Sequence, residues 1–331
     1  MLKDGINFEI LFILLCNSYH RKSFPMTKCI ATSLLFILSV LLTELSHAQE
    51  SDTTFIKKHF TTITKSGEYR HYKNVKELNR VAAYLKSVFE SYSDTVWYQS
   101  FEVDGRKYKN VICSFGPITA KRTIIGAHYD VCGISEGADD NASGVVGLLE
   151  LARMLQGKEL SKRVDLVAYT LEEPPYYGTQ NMGSFIHAQS LVKDSVEVEI
   201  MVSLEMIAYF KDQKNTQDYP AKFLSLFYGK RGNYITLVQK IGGHSSVDKW
   251  CRKYKRKAKV RTKRFKGPES LVGIAFSDHR NYWHFNIPAL MITDTAFFRN
   301  KHYHQSTDVM ENLDFHRMSL VINAVYEMLT D

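Results

Sequence analysis

A chain of 331 residues with 44% apolar and 24% charged side chains can bury an ordinary core, which argues against a disordered or low-complexity polypeptide. Its formal charge of +8 would suit an anionic partner. No nucleic-acid-binding module accompanies that charge, so nucleic acid is not expected among the partners.

Two candidate starts precede the folded region. Residues 1–25 read as an upstream mis-start. From Met26, Lys28 leads an apolar stretch, Ile30 to Leu42, and Ser46-His47-Ala48 fits a small-x-small cleavage site before Gln49. Residues 26–48 are thus expected to be a signal peptide, leaving 49–331 as one domain and an exported, periplasmic or secreted, product. The apolar stretch falls short of the ~20 residues of a spanning helix, and nothing later is longer. No stable membrane insertion is expected once the signal is removed; the alternative is an anchor left uncleaved. Of five cysteines, Cys113, Cys132 and Cys251 remain, which allows one disulfide at most. With no CxxC pair, sulfur ligands for a metal are not expected, and Cys132 reads as lining a wall.

In chain order, Ser51 to Lys65 reads as an entry helix, and Val75 to Tyr92 carries apolar residues at helical spacing. Trp97 to Val103 and Tyr108 to Ser114 read as strands joined by the hairpin dipeptide Asp104-Gly105. Thr123 to Ala127 is a short β-branched run ending at His128, with Asp130 two positions on. A Gly-containing loop brings Asp139, Asp140 and Asn141, and Val145 to Leu151 then reads as a helix. Val164 to Thr170 is a second buried strand, ending at Glu172-Glu173-Pro174-Pro175. Val198 to Glu205 is a third, again closed by an acid. Phe223 to Tyr228 and Ala289 to Thr293 are expected to complete the sheet, with helices at Tyr234 to Ile241 and Phe315 to Leu329. Alternating strands and helices predict an α/β fold with a mostly parallel central sheet sandwiched by helices. The basic run Arg252 to Lys266 reads as a solvated face; it weakly favours an acidic side chain or carboxylate in the substrate.

A parallel sheet gathers its strand C-termini along one edge, so His128, Asp139, Glu172, Glu173 and Glu205 can converge there. Several carboxylates away from water require a neutralising charge, and no Lys or Arg occupies these positions. Carboxylate with imidazole suits a divalent cation, zinc above all. Neighbouring side chains leaving a strand point different ways, so one of Glu172 and Glu173 can ligate while the other serves as general base. A further imidazole comes from His302 or His304 in RNKHYHQSTD, and Phe276 to His279 (FSDH) offers another polar group.

In this order HYD, GADDNASG, EE, SLEM, SDH and NKHYHQSTD resemble the co-catalytic zinc exopeptidases of the bacterial leucyl aminopeptidase type, a family that includes glutamate carboxypeptidases and glutaminyl cyclases. The likeness runs from about Val75 to the C-terminus. It implies a phosphorylase/hydrolase-like three-layer fold, two Zn2+ ions per chain and a peptide substrate. It also implies metal ligands His128, Asp139 (bridging), Glu173, Glu205 (where Asp is common) and His304, preferred to His302. Asp130 would orient His128, Glu172 would be general base and acid, and Tyr303 would bond the oxyanion. The Asp139-Asp140 peptide would be cis. The implied reaction is metal-assisted aminopeptidase hydrolysis. Glutaminyl-peptide cyclotransfer and a metal-free binding ectodomain are the alternatives.

Overall fold

The structure is a computed structural model describing residues 50–331, which form one compact unit. The expected mis-start and signal peptide lie outside the described residues. In chain order the unit runs α1 (Thr53–Thr64), α2 (Val75–Glu90), β1 (Val96–Val103), β2 (Arg106–Phe115), β3 (Arg122–His128), a π-turn (Ala138–Ser143) and α3 (Gly144–Leu155). It continues with β4 (Arg163–Tyr169), α4 (Gly183–Lys193), β5 (Val198–Glu205), α5 (Leu224–Tyr228), β6 (Ile235–Lys240) and α6 (Ser245–Lys257). It closes with β7 (Thr262–Gly267), α7 (His279–His284), β8 (Ala289–Thr293) and α8 (Phe315–Leu329).

The eight strands form one sheet in the order β1-β2-β4-β3-β5-β8-β6-β7. Its centre, β4-β3-β5-β8, is parallel, while β1, β2 and β6 meet their neighbours antiparallel at β1-β2, β2-β4 and β8-β6. The central strands are apolar on both faces because helices cover both. On one side Ile125, Ala127, Leu166 and Val202 pack with α1, α2, α3, α6 and α8. On the other, Ile124, Val167, Met201 and Met291 pack with α4 and α7. Gly144 lets α3 approach this sheet: a Cβ there would lie 2.4 Å from the Leu204 carbonyl oxygen.

Two expected elements differ. Tyr234 to Ile241 holds the strand β6, because β8 and β7 pair with it on either side; so short an apolar run has no diagnostic period of its own. Phe223 to Tyr228 holds the short surface helix α5, with Phe223, Leu226 and Phe227 exposed, rather than a strand. The basic run divides between α6 and β7. Among the described residues no helix is long and apolar enough to cross a membrane. Cys113, Cys132 and Cys251 are all free thiols.

Candidate metal centre

The C-terminal ends of β3, β4 and β5 meet at one rim of the sheet, each delivering a side chain as its strand stops. His128 closes β3 and Glu205 closes β5, while Glu172 and Glu173 follow β4 after Leu171. Three non-glycine residues here hold left-handed backbone: Leu171 (φ +61°), Met206 (φ +51°) and His304 (φ +59°). Such conformations persist where the surroundings enforce them, commonly at functional sites.

The donors fall into two sets with Asp140 common to both. His128 Nε2 lies 3.4 Å from Asp140 Oδ1 and 3.4 Å from Glu205 Oε2. His304 Nε2 lies 3.2 Å from Asp140 Oδ2 and 3.1 Å from Glu173 Oε2. Glu172 Oε2 stands 3.9 Å from His128 Nε2.

Asp139 is not part of this arrangement. Its carboxylate points away from the rim, accepting from the Ala208 amide at 3.1 Å and from Asn300 Nδ2 at 2.9 Å. Asp140 is the residue of the pair that faces both imidazoles, and the cis peptide is Asp140-Asn141, one residue later than expected. The turn is pinned by Asp308, whose carboxylate oxygens accept the amides of Asp139 and Asp140 at 3.1 and 3.0 Å. Asn141 ties it to β5 by donating to the Leu204 carbonyl at 2.8 Å.

Asp130 sits behind the rim. Its carboxylate accepts the amides of Glu172 and Glu173 at 3.2 and 3.1 Å, and its Oδ1 lies 3.6 Å from His128 Nδ1. It thus fixes the backbone of the glutamate pair as well as standing beside the imidazole. Tyr303 stacks on the His304 ring, centroids 3.7 Å apart. His302 turns elsewhere, its Nδ1 2.8 Å from Thr307 Oγ1. From FSDH, Ser277 donates to Glu205 Oε2 at 2.8 Å, whereas the His279 ring meets the Ile274 carbonyl. Cys132 lies beside Glu173 and His304, with one donor atom of each residue within 4.8 Å of the others.

The electrostatics are those of a site short of positive charge. Burial, and then the neighbouring Asp140, push Glu173 up to about 7. Burial likewise raises Glu172 well above the carboxylate range, against the pull of His128. His304 rises to about 10: burial works against it, but contact with Asp140 and Glu173 outweighs burial. Burial opposes ionisation of Asp140 too, yet its contacts with His128 and His304 hold it below the ordinary Asp value. Four donor atoms facing the cluster, His128 Nε2, Asp140 Oδ2, Glu173 Oε1 and His304 Nε2, are buried without a hydrogen-bond partner. Buried polar atoms rarely stay unpaired. Imidazole and carboxylate donors converging in this way fit divalent cations of the zinc type.

Sequence reasoning did not single out Asp140 as facing both imidazoles, nor Asp308 and Asn300 as supports; Ser277 lies in the FSDH stretch expected to offer a polar group. The STD end of the tail motif contained Asp308, but nothing in its spacing linked it to a turn so far upstream.

A model of Peptidase family M28 matches residues 110–329. The chain is 39% identical over 282 residues to the uncharacterized protein YfbL of Escherichia coli (strain K12), across 83% of this chain and 86% of that one. Its structure is similar to that of the LapA aminopeptidase of Legionella pneumophila, with a TM-score of 0.67 at 21% identity over 84% of this chain and 71% of that one. It is also similar to Tannerella forsythia glutaminyl cyclase, with a TM-score of 0.62 at 19% identity over 86% and 99%. At such identities these two likenesses speak for the fold alone.

Proposed function

This chain belongs to peptidase family M28, and from that membership we propose that it is a zinc-dependent exopeptidase, an aminopeptidase releasing N-terminal residues from peptides. The observation that carries the reading is the pair of donor sets sharing Asp140. His128, Asp140 and Glu205 would hold one ion, and Asp140, Glu173 and His304 the other. Zinc bound there would polarise the scissile carbonyl and acidify a water molecule.

The chain's own residues supply the rest. Glu172 stands farther from His128 Nε2, at 3.9 Å, than Asp140 or Glu205 does; its carboxylate would take the proton of the attacking water and pass it to the leaving amine. Asp130 keeps Glu172 and Glu173 in register through their amides. Tyr303, whose ring stacks on His304, would donate its hydroxyl to the developing oxyanion. The acidic rim would attract the free ammonium of a peptide substrate. Residues 26–48 support export of the mature chain.

Cyclotransfer is the second reading, favoured by the likeness to glutaminyl cyclase. The run Asp139 to Gly144 (DDNASG) resembles the two-metal peptidases more than the cyclases. The test is to incubate zinc-loaded protein with a peptide beginning with Gln and follow its mass. Stepwise shortening from the N-terminus is expected. Loss of ammonia without shortening would instead assign a cyclotransferase, and shortening from the other end a carboxypeptidase. A folded, inert protein that retains no zinc would indicate the binding ectodomain.

A further inference from the structure

We propose that Cys132 is a fourth donor to the metal ion that Asp140, Glu173 and His304 would hold, binding it as a thiolate. The inference rests on the zinc reading above and deepens it: one ion of the pair is closed in by protein, the other left open to water and substrate. The Cys132 sulfur, a Glu173 carboxylate oxygen and a His304 ring nitrogen lie within 4.8 Å of one another. His304 Nε2 is also 3.2 Å from Asp140 Oδ2 and 3.1 Å from Glu173 Oε2. A tetrahedral zinc ion with bonds of about 2.0–2.3 Å spaces its donors about 3.3–3.6 Å apart. The carboxylates and the imidazole stand close to that spacing, and the sulfur has about an ångström at most to close.

The surroundings of the thiol point to a ligand. Glu173 is almost fully buried, yet its Oε1 has no hydrogen-bond partner, and the same holds for the buried Asp140 Oδ2 and His304 Nε2. Buried polar atoms left in this way are rare unless something reaches them. Cys113 and Cys251 belong to the apolar core, whereas Cys132 is half-buried beside these polar atoms. Backbone contacts hold the thiol's loop to the segments that carry the other donors. Asp130, two residues before Cys132, accepts the Glu173 amide at 3.1 Å. Ser135, three residues after it, donates to the carbonyl of Gln305, next to His304, at 3.0 Å. The Val131 amide donates to the Arg70 carbonyl at 3.1 Å.

The neighbouring carboxylates oppose a free thiolate. A metal ion reverses that balance: the S–H proton passes to solvent as the sulfur–metal bond forms. Catalytic zinc keeps a fourth position open beside three protein ligands, while structural zinc fills all four. His128, Asp140 and Glu205 make the open set, and Cys132, Asp140, Glu173 and His304 the closed one. The sulfur also makes the closed set the softer, favouring zinc over magnesium or manganese. Its ion should load first and leave last. The missing CxxC pair argued against sulfur ligation, but one thiol completed by imidazole and carboxylates needs no such pair.

The test is a titration of the metal-free protein with Co2+, followed by absorption. A sulfur-to-cobalt charge-transfer band in the near ultraviolet should grow with the first equivalent and stop before the second. Cys132→Ser and Cys132→Ala should each abolish the band and leave the other ion bound. Each should also weaken the first equivalent by at least the roughly ten- to hundredfold that loss of a ligand's hydrogen-bond partner costs. In the unaltered protein, zinc should slow alkylation of Cys132 by iodoacetamide at alkaline pH. Two cobalt ions bound without the band, a band that both variants keep, or equal alkylation rates with and without zinc overturns the thiolate ligand and leaves the two-ion centre standing. A folded protein that binds no cobalt overturns both.

Discussion

Asp139 and Asp140 are consecutive, yet their carboxylates go to opposite sides of the chain. Asp140 faces two imidazoles, while Asp139 faces the Ala208 amide and Asn300. Asp140→Asn should therefore abolish binding of both zinc ions, with a loss of activity of at least about 10³-fold. Asp139→Asn should keep zinc and lose about 1–3 kcal/mol of stability through a disturbed buried hydrogen bond. Metal content by atomic emission and a denaturant melt distinguish them; loss of zinc in Asp139→Asn alone would restore the original assignment.

Glu172 and Glu173 face different imidazoles: Glu173 Oε2 lies 3.1 Å from His304 Nε2, whereas Glu172 Oε2 lies 3.9 Å from His128 Nε2. Glu172→Ala should lower kcat by about 10²–10⁴-fold, the usual worth of a general base, with two zinc ions still bound. A variant that stays active would remove Glu172 from the mechanism.

Away from the rim, His187 is fully buried between Tyr282 and the Tyr169 ring, and burial lowers it to about 4. His59 is lowered to about 4 and His279 to about 3, in each case chiefly by burial. A histidine whose folded pKa lies below its unfolded value binds more protons when unfolded. Its stabilising effect is complete above about pH 6.5 and is lost as the pH falls toward 4. For His187 the loss amounts to about 3 kcal/mol at the acid end. Melting temperatures taken from pH 7.5 to 4.5 should fall steadily, and less steeply in His187→Gln if that residue contributes.

Cys132 is the half-buried thiol of the three, pushed up to about 11 by burial and then by the neighbouring Glu173 and Asp140. Cys113 and Cys251 are buried and raised to about 12. Iodoacetamide should react slowly at pH 8 and faster at pH 9.5, with the adduct, among the three described cysteines, confined to Cys132 by peptide mapping. The adduct would crowd Glu173 and His304, so zinc at that position and activity should fall together. Complete alkylation with both unchanged would place the thiol outside the site.

Much of the fold was legible because strands buried on both faces announce themselves as uninterrupted apolar runs. Val198–Glu205 and Ala289–Thr293 were readable to their ends, as was the amphipathic Phe315–Leu329. Tyr234 to Ile241 misled because strand and helix share short apolar runs, and Phe223 to Tyr228 because aromatic residues favour strands when packed, while α5 leaves them in solvent. The donors at strand ends could be located because a parallel sheet fixes where its strands stop. Asp139 and Asp140 could not be ranked, since a turn has no periodicity to say which carboxylate faces inward. Cys132 was expected to line a wall of the site, and it lies beside Glu173 and His304.

Arg70 is buried almost completely, and its guanidinium donates to the backbone carbonyls of Tyr129, Glu136 and Gly137 at 2.7, 2.8 and 3.0 Å. It therefore braces both ends of the loop that carries His128 to Asp140, from a position forty residues before the stretch that the family model matches. A fragment trimmed to residues 110–329 would keep every donor of the centre and lose the peg that spaces them. A working version of this protein therefore has to begin ahead of Arg70.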